Sequence, residues 1–321
     1  MVSVNQEAMK LVRKVIDEKE RLNIGITRLE NGATVIDMGV EFPGGWAAAK
    51  YIAEISLGAL ATLNYGTYRL RDLELPLVSV YTDYPMISCL SSQISGWALK
   101  DMKNDAGIVP LISGPIRAIV KKDFFSKPFD YRDDWHEAVA VLQDNRLPDV
   151  RLTDYLAREA NVKPENLYVL VAATGSLVGF INVISRTLET SIWRLHTQGL
   201  DVSGIISAWG SAPLPPPTRD ELKAMIRVNT YTYYGGSAGY VLDEDDQKIA
   251  GVLDQLTLSP KTTNQYGIPF GQLLREAGGD IFNMHEFCHS VAKINLLNIR
   301  SGSAYHYGEV DDRMLWECLF E

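Results

Sequence analysis

An arginine and a glutamate three positions apart are the residues of this sequence best placed to do chemistry. Arg186 and Glu189 would be neighbours on one face of a helix. A carboxylate can accept a proton, and a guanidinium beside it favours its ionised form. The same spacing also fits a solvated ion pair, worth roughly a few tenths of a kcal/mol. Gly179 and Trp193 on that face are unusual for a solvated surface, because a glycine within a helix often marks the close approach of another group. The alternative interpretation is therefore that this face of the helix lines a pocket.

A second group of candidate catalytic residues matches the zinc motif HExxH. On a helix, His285 and His289 would share a face and bind zinc, with Glu286 as the base. The motif needs a long helix, but Gly278-Gly279 stands just before it and a strand-like run begins at Val291. We therefore favour a loop or strand edge without metal. The other histidines, which offer no obvious third ligand, are His136, His196 and His306.

The elements that would position Arg186 and Glu189 lie in residues 166–196. An apolar run at 167–171 is rich in β-formers and predicts a strand, and Ser176 is placed to cap the helix that follows. Apolar residues then recur at helical spacing and predict one continuous amphipathic helix, with Asn182 on the face of Arg186. The apolar residues are Leu177, Ile181, Ile184, Leu188, Ile192 and Leu195.

Three other segments carry predictions that depend on proline or on β-forming residues. Residues 111–120 read as a strand broken by Ser113-Gly114-Pro115, which would expose backbone donors beside Arg117. An anion contact there and a plain turn are the two interpretations. Residues 208–217 contain three consecutive prolines and predict a stiff extended segment, neither regular helix nor central strand. Residues 229–234 read as a strand that leads into a glycine-rich turn.

Composition excludes several classes of function. Apolar residues make up 46% of the 321 residues and charged residues 22%, as in an ordinary soluble globule. The net charge of −9, without a basic stretch, argues against a nucleic-acid partner. Three scattered cysteines fit a reducing cytoplasm, and neither a signal pattern nor an apolar run of about 18 residues suggests a membrane. The absence of GxGxxG, GxxxxGK[ST] and GxSxG disfavours nucleotide sites and a serine hydrolase elbow.

The order of elements predicts an α/β fold. Strands and helices alternate and hairpins are frequent, which indicates mixed sheets with flanking helices. The clearest break is Lys163-Pro164-Glu165, so we predict an N-terminal half at residues 1–162 and a C-terminal half at residues 163–321. This division leaves room for the chain to cross between domains more than once.

Short motifs occur along nearly the whole chain and together carry a family resemblance. They include Asp37-x-Gly39-Val40, Thr82-Asp83-x-Pro85, Gln93 with Gly96-Trp97, Ser113-Gly114-Pro115-x-Arg117, Thr174 with Ser176, Arg186-x-x-Glu189-Thr190, Ala208-x-Gly210, Arg227-x-Asn229 and Tyr266-Gly267-x-Pro269. Each motif is weak alone, but the ordered set resembles the methenyltetrahydromethanopterin cyclohydrolases.

The resemblance implies both an architecture and a reaction. The architecture is a two-domain α/β subunit, commonly trimeric, that holds a pterin in a cleft between the domains. The reaction is the reversible hydrolysis of 5,10-methenyltetrahydromethanopterin to the formyl derivative, without metal or nicotinamide. By resemblance Glu189 is the base that activates water and Arg186 is its partner. The substrate-binding residues implied are Gln93, Ser113, Gly114, Pro115, Arg117, Thr174, Ser176, Asn182, Gly210 and Asn229.

Several positions depart from the pattern of this family. The residues concerned are Ile94, Gln143, Asn182, Trp209, Thr230, Asn283 and His285. Gln143 stands where a glutamate is common, Thr230 and His285 where an acid is, and Asn283 where a lysine is. These departures allow a second hypothesis: a paralogue that binds a related one-carbon-carrying pterin without turnover, or that acts on a modified carrier. A zinc hydrolase is the third hypothesis.

Overall fold

The structure, a computed structural model, describes residues 2–99, 102, 111–126, 129–255, 267–279, 283–284 and 290–320. The strands are β1 (Gly25–Arg28), β2 (Thr34–Gly39), β3 (Ala61–Leu70), β4 (Leu73–Thr82), β5 (Trp97–Ala98), β6 (Leu111–Ser113), β7 (Ala138–Gln143), β8 (Leu167–Ala172), β9 (Ile205–Pro213), β10 (Ser237–Leu242), β11 (Lys293–Asn298) and β12 (Ala304–Gly308). The α-helices are α1 (Val4–Asp17), α2 (Lys19–Leu22), α3 (Trp46–Ser56), α4 (Ile116–Val120), α5 (Val150–Glu159), α6 (Leu177–Ile184), α7 (Thr187–Thr197), α8 (Glu221–Gly235), α9 (Asp246–Gln255), α10 (Phe270–Glu276) and α11 (Asp312–Cys318). The prediction of an α/β fold with mixed sheets is confirmed.

The chain divides into two compact units, each made of two separate stretches. The first unit is Met1–Thr62 with Ile87–Asn182, and the second is Leu63–Met86 with Val183–Glu321. These units do not follow the division predicted after residue 162. The reason is strand pairing: β4 pairs with β9 of the second unit, whereas β8 completes the sheet of the first unit. The ligand cleft expected from the resemblance stays a prediction.

The first unit contains a mixed six-stranded sheet in the order β1-β2-β8-β7-β6-β5. The hairpin β1–β2 is antiparallel, as the Asn31-Gly32 turn predicts, and β2, β8 and β7 run parallel. The carboxyl ends of these three strands therefore meet at one edge, where Gly39 and Gln143 are both in register with Ala172. In parallel sheets this edge is where ligands usually bind.

The second unit contains a six-stranded sheet in the order β12-β11-β10-β9-β4-β3. Its central strand β9 pairs antiparallel with both β10 and β4. The prediction that residues 208–217 contain no central strand is therefore wrong for residues 208–213. Pro213 is the last residue of β9, and the three consecutive prolines follow the strand, so proline does not interrupt the pairing. The helices α7 and α8 pack against β9.

Two other local predictions are wrong because tertiary structure overrides propensity. Residues 229–234 continue α8, where Thr230 and Thr232 donate their hydroxyls to the carbonyls of Ile226 and Val228. Residues 111–120 are not one broken strand, since β6 ends at Ser113 and α4 begins after the N-cap residue Pro115.

In the described part of the chain, no helix is long and apolar enough to cross a membrane.

Candidate functional site

The predicted continuous helix over residues 177–195 is broken in the structure. α6 ends at Ile184 and α7 begins at Thr187, and the amide of Arg186 donates to the carbonyl of Val183, three residues back, at 3.1 Å. Neither glycine nor proline occupies the break, and the apolar pattern runs through it, so the sequence carries no signal for it. The break gives α7 an N-terminus of its own, with Glu189 in its first turn. Unpaired amides and the helix dipole stabilise a carboxylate at that position.

Arg186 and Glu189 form a largely buried ion pair. Arg186 Nη1 lies 3.3 Å and 3.4 Å from the two carboxylate oxygens of Glu189. The side chains are 11% and 6% exposed, so the interpretation as a solvated surface pair is wrong. Both of these distances are longer than the roughly 2.7–2.9 Å of a strong charge-assisted bond. Catalytic hydrogen bonds are often long in this way before a substrate binds.

Arg117 makes a contrasting buried pair in the first unit. Its Nη2 and Nε donate to the two oxygens of Asp123 at 2.6 Å and 3.1 Å, and its Nη1 donates to the carbonyls of Leu90 and Ser92. The residue has no exposed surface. An anion could bind this guanidinium only if these bonds were broken, which indicates a structural role. The predicted substrate contact of Arg117 gains no support from this geometry.

The turn before Arg117 is also internal. Gly114 donates its amide to Ser92, the carbonyl of Pro115 accepts from the Asn5 side chain, and Ser113 is 1% exposed. The prediction that this turn exposes backbone donors is therefore wrong. Gln93, the last residue of a π-helix at Met86–Gln93, has no exposed surface either. The substrate contacts of these four residues stay predictions.

The predicted site residues Thr174, Ser176 and Asn182 lie at the carboxyl edge of the parallel strands, where Gln143 links two of them. The Asn182 amide donates to Gln143 Oε1 at 3.0 Å, and Gln143 Nε2 donates to Thr174 Oγ1 at 3.2 Å. Ser176 accepts from the amide of Gly179, which confirms it as the cap of α6. A Cβ at Gly179 would lie 2.0 Å from the carbonyl oxygen of Ala173, so the close approach marked by this glycine comes from the chain itself.

Gly210 lies under the first turn of α7. A Cβ at this position of β9 would lie 2.3 Å from Thr187 Oγ1 and 3.0 Å from Leu188 Cδ2. Both residues belong to the turn that carries Glu189, so the glycine sets how closely that turn packs on the sheet. Its predicted contact with substrate stays a prediction, and packing is the role that the geometry supports.

The variant Gly210→Ala tests this packing. We expect it to lower the free energy of unfolding by about 1–3 kcal/mol, because the extra methyl group overpacks a filled contact. Gly251→Ala is the matched control, since Gly251 lies in α9 and a Cβ there would meet nothing within 4 Å. The control should be at least as stable as the wild type, because alanine favours a helix. Equal stability of both variants in chemical denaturation would show that α7 does not rest on Gly210.

Two hydroxyls in the same turn differ from those of other helices. Thr187 Oγ1 and Thr190 Oγ1 are buried and have no hydrogen-bond partner among the described residues, and Thr187 is only 1% exposed. Thr230 and Thr232 instead bond to carbonyls four residues earlier. A buried hydroxyl without a partner costs about 1–3 kcal/mol, so the start of α7 is a place where a polar ligand or water gains bonds.

The remaining predicted site residues lie in α8 or outside the described part of the chain. Asn229 donates its side-chain amide to the carbonyl of Met225 within α8, at 2.8 Å. Tyr240, which was not predicted, donates to the carbonyl of Leu188 at 3.0 Å. No local sequence signal marks it, because the two residues are 52 positions apart. The residues of the zinc motif, His285, Glu286 and His289, lie outside the described residues.

Comparison with known proteins covers almost the entire chain. A family model described as Cyclohydrolase (MCH) matches residues 3–319. The chain is 34% identical over 325 residues to the methenyltetrahydromethanopterin cyclohydrolase of Methanocaldococcus jannaschii, covering 99% of this chain and 98% of the relative. It is 33% identical over 313 residues to the protein of that name from Methanospirillum hungatei, covering 97% and 96%. For the one from Methylobacillus flagellatus the identity is 31%, covering 98% and 94%. These matches confirm the resemblance inferred from the ordered motifs.

Proposed function

Because the chain belongs to the cyclohydrolase (MCH) family, we propose that it hydrolyses the methenyl bridge of 5,10-methenyltetrahydromethanopterin, reversibly, to the formyl derivative. Within the chain, the supporting observation is the buried ion pair of Arg186 and Glu189 at the start of α7. In this proposal Glu189 is the general base and Arg186 its partner.

The chemistry of the substrate suits a single carboxylate. The bridging carbon belongs to a formamidinium cation and is already electrophilic. Water adds to this carbon as Glu189 accepts one of its protons, which gives a neutral hydroxyl adduct. The hydroxyl proton then passes to the leaving nitrogen, the C–N bond opens and the formyl carbonyl forms. The proton on Glu189 is released to solvent, so that cation and water yield formyl product and one proton.

Three features of the first turn of α7 support this role for Glu189. Glu189 lies in the first turn of α7, where the helix dipole stabilises a negative charge. A carboxylate also stabilises an approaching cation. The buried hydroxyl of Thr190, which has no hydrogen-bond partner among the described residues, can bond to a water molecule. A positioned base of this kind contributes about 10²–10⁴-fold to a rate.

The proposed reaction needs no resident cofactor. The methenyl carbon and the formyl carbon have the same oxidation state, so no electrons are transferred and no nicotinamide is required. The cation is electrophilic without a Lewis acid, so no metal is required. Metal analysis of the purified protein tests the competing zinc proposal for His285, Glu286 and His289, and one zinc per chain that is needed for activity would favour it.

Decay of the methenyl absorbance on mixing substrate with purified protein tests the proposed function. We expect decay that is faster than in buffer and proportional to protein concentration. Binding of the substrate without decay of its absorbance would favour the second candidate function. That candidate is a paralogue that binds the pterin without turnover, or that acts on a modified carrier. The departure at Gln143 motivates this candidate, since its neutral amide bonds to Asn182 and Thr174. Titration of protein into ligand at equilibrium separates binding from turnover.

We also propose a cytoplasmic homotrimer. The cytoplasmic location is supported by Cys89 and Cys318, which are buried thiols outside any disulfide, as expected in a reducing compartment. The trimer rests on the family resemblance alone. Light scattering coupled to gel filtration should give three times the chain mass of 35.7 kDa.

A further inference from the structure

The first turn of α7 is not fixed by its own cap. Arg186 is the N-cap residue and makes no side-chain bond to the amides of the helix start. The turn also follows directly on the break after α6. Uncapped helix starts fray, yet a general base has to be held within a fraction of an ångström of its place. Contacts from the sheet therefore have to fix this turn.

Tyr240 supplies such a contact from the sheet below. Its hydroxyl donates to the carbonyl of Leu188 at 3.0 Å and lies 2.6 Å from Ser191 Oγ. Ser191 in turn lies 2.9 Å from the carbonyl oxygen of Thr187. Tyr240 has no exposed surface and stands within β10, paired with Ala208 and with Leu296 on either side. The hydroxyl is thus carried by an interior strand of the sheet.

The carbonyl that Tyr240 holds belongs to the peptide unit that joins Leu188 to Glu189. Because a peptide unit is planar, fixing its oxygen also fixes the direction of the Glu189 amide and the place of its Cα. Gly210 allows the same turn to lie close to the neighbouring strand β9. These two contacts set the height and the rotation of the turn from which the carboxylate projects.

We propose that Tyr240 is a positioning residue for Glu189. This inference rests on the proposed function, because it assigns the tyrosine a role in placing the base of that reaction. The hydroxyl acts through the backbone and touches neither substrate nor the reacting atoms. A small displacement of a base costs much more in turnover than in affinity, and a shift of about 1 Å can cost 10²-fold. Tyr240 should accordingly affect kcat more than KM.

The variant Tyr240→Phe tests the proposal against Tyr231→Phe. Tyr231 is the matched control: it also has no exposed surface, lies in the same unit and donates to a backbone carbonyl, that of Leu315, at 3.0 Å. Both variants should lose a similar amount in Tm, since each removes one hydrogen bond from a buried tyrosine hydroxyl to a carbonyl. We expect Tyr240→Phe to lower kcat roughly 10- to 100-fold with KM within about twofold, and Tyr231→Phe to keep both values.

A double variant separates positioning from general weakening. In a Glu189→Gln background, Tyr240→Phe should cause no further loss of the residual rate, because residues that act through one group are not additive. If Tyr240→Phe does not fold, Ser191→Ala replaces it, and a severalfold loss of kcat at constant KM is expected. Equal kcat in Tyr240→Phe and Tyr231→Phe, or an undiminished effect without Glu189, would overturn the proposal. An inactive wild-type protein would instead overturn the proposed function, and this inference with it.

Discussion

Replacing Glu189 by glutamine should abolish turnover of the methenyl-pterin while most of the affinity remains. Glutamine has nearly the same shape, and its carbonyl oxygen can still accept from Arg186, but its amide cannot take a proton from water. We expect kcat to fall by about 10²–10⁴-fold, the range of a positioned general base. Initial rates of absorbance decay measure kcat, and equilibrium titration of the inactive variant measures Kd.

Glu7→Gln is the control for this experiment. Glu7 also lies in the first turn of a helix, α1, and pairs with a basic residue three positions away: Lys10 Nζ lies 2.6 Å from its carboxylate. The Lys10 side chain is 59% exposed, so the pair is weak, and neither residue is assigned a part in the proposed reaction. The control should keep the wild-type rate. Full activity in Glu189→Gln would mean that the base lies elsewhere in the chain.

The sequence could predict that Arg186 and Glu189 are neighbours, but not that they are buried. Their spacing of three places them side by side wherever the helix begins, so the prediction survives the unpredicted break before Thr187. The turn that carries Glu189 packs on Gly210 and Tyr240, which come from two other strands. No local pattern connects residues so far apart in the chain, and the resemblance to a family pointed to this pair as a site more strongly than its spacing did.

The same limit separates the fold predictions that are confirmed from those that are wrong. The Asn31-Gly32 hairpin and the strand at 167–171 follow from signals within a few residues. The central strand in residues 208–213 and the long α8 depend on distant partners. In α8 the β-forming tyrosines Tyr231, Tyr233 and Tyr234 are nearly fully buried, so packing decides their conformation.

Arg117 shows how one motif can fit two different kinds of contact. A turn of serine, glycine and proline followed by arginine fits an anion site, because such turns expose backbone amides. The structure gives the guanidinium a carboxylate six residues away and two carbonyls more than 20 residues earlier. These partners are matched in number and direction to a planar donor, which favours arginine over lysine. The substitution of Arg117 therefore separates a structural role from ligand binding.

Replacing Arg117 by methionine should lower the free energy of unfolding by about 3–5 kcal/mol, because it leaves the carboxylate of Asp123 buried without its charge partner. Chemical denaturation measures this loss, which is a large fraction of the stability of a typical domain. Arg300→Met is the matched control: Arg300 Nε also bonds a carboxylate oxygen, that of Asp243, at 2.6 Å, but the two side chains are 53% and 51% exposed.

The control should lose no more than about 1 kcal/mol of its free energy of unfolding, because an exposed ion pair contributes little to stability. The loss in the free energy of unfolding for Arg117→Lys should lie between those of Arg117→Met and the control. Lysine keeps the charge but lacks the planar guanidinium that reaches Asp123 and the Leu90 carbonyl together. The KM of whatever protein remains folded decides between the roles. A structural arginine predicts a KM close to that of the wild type in Arg117→Lys. A raised KM with unchanged stability would instead restore the anion contact that the motif suggested, and would require the Asp123 pair to open when the substrate binds.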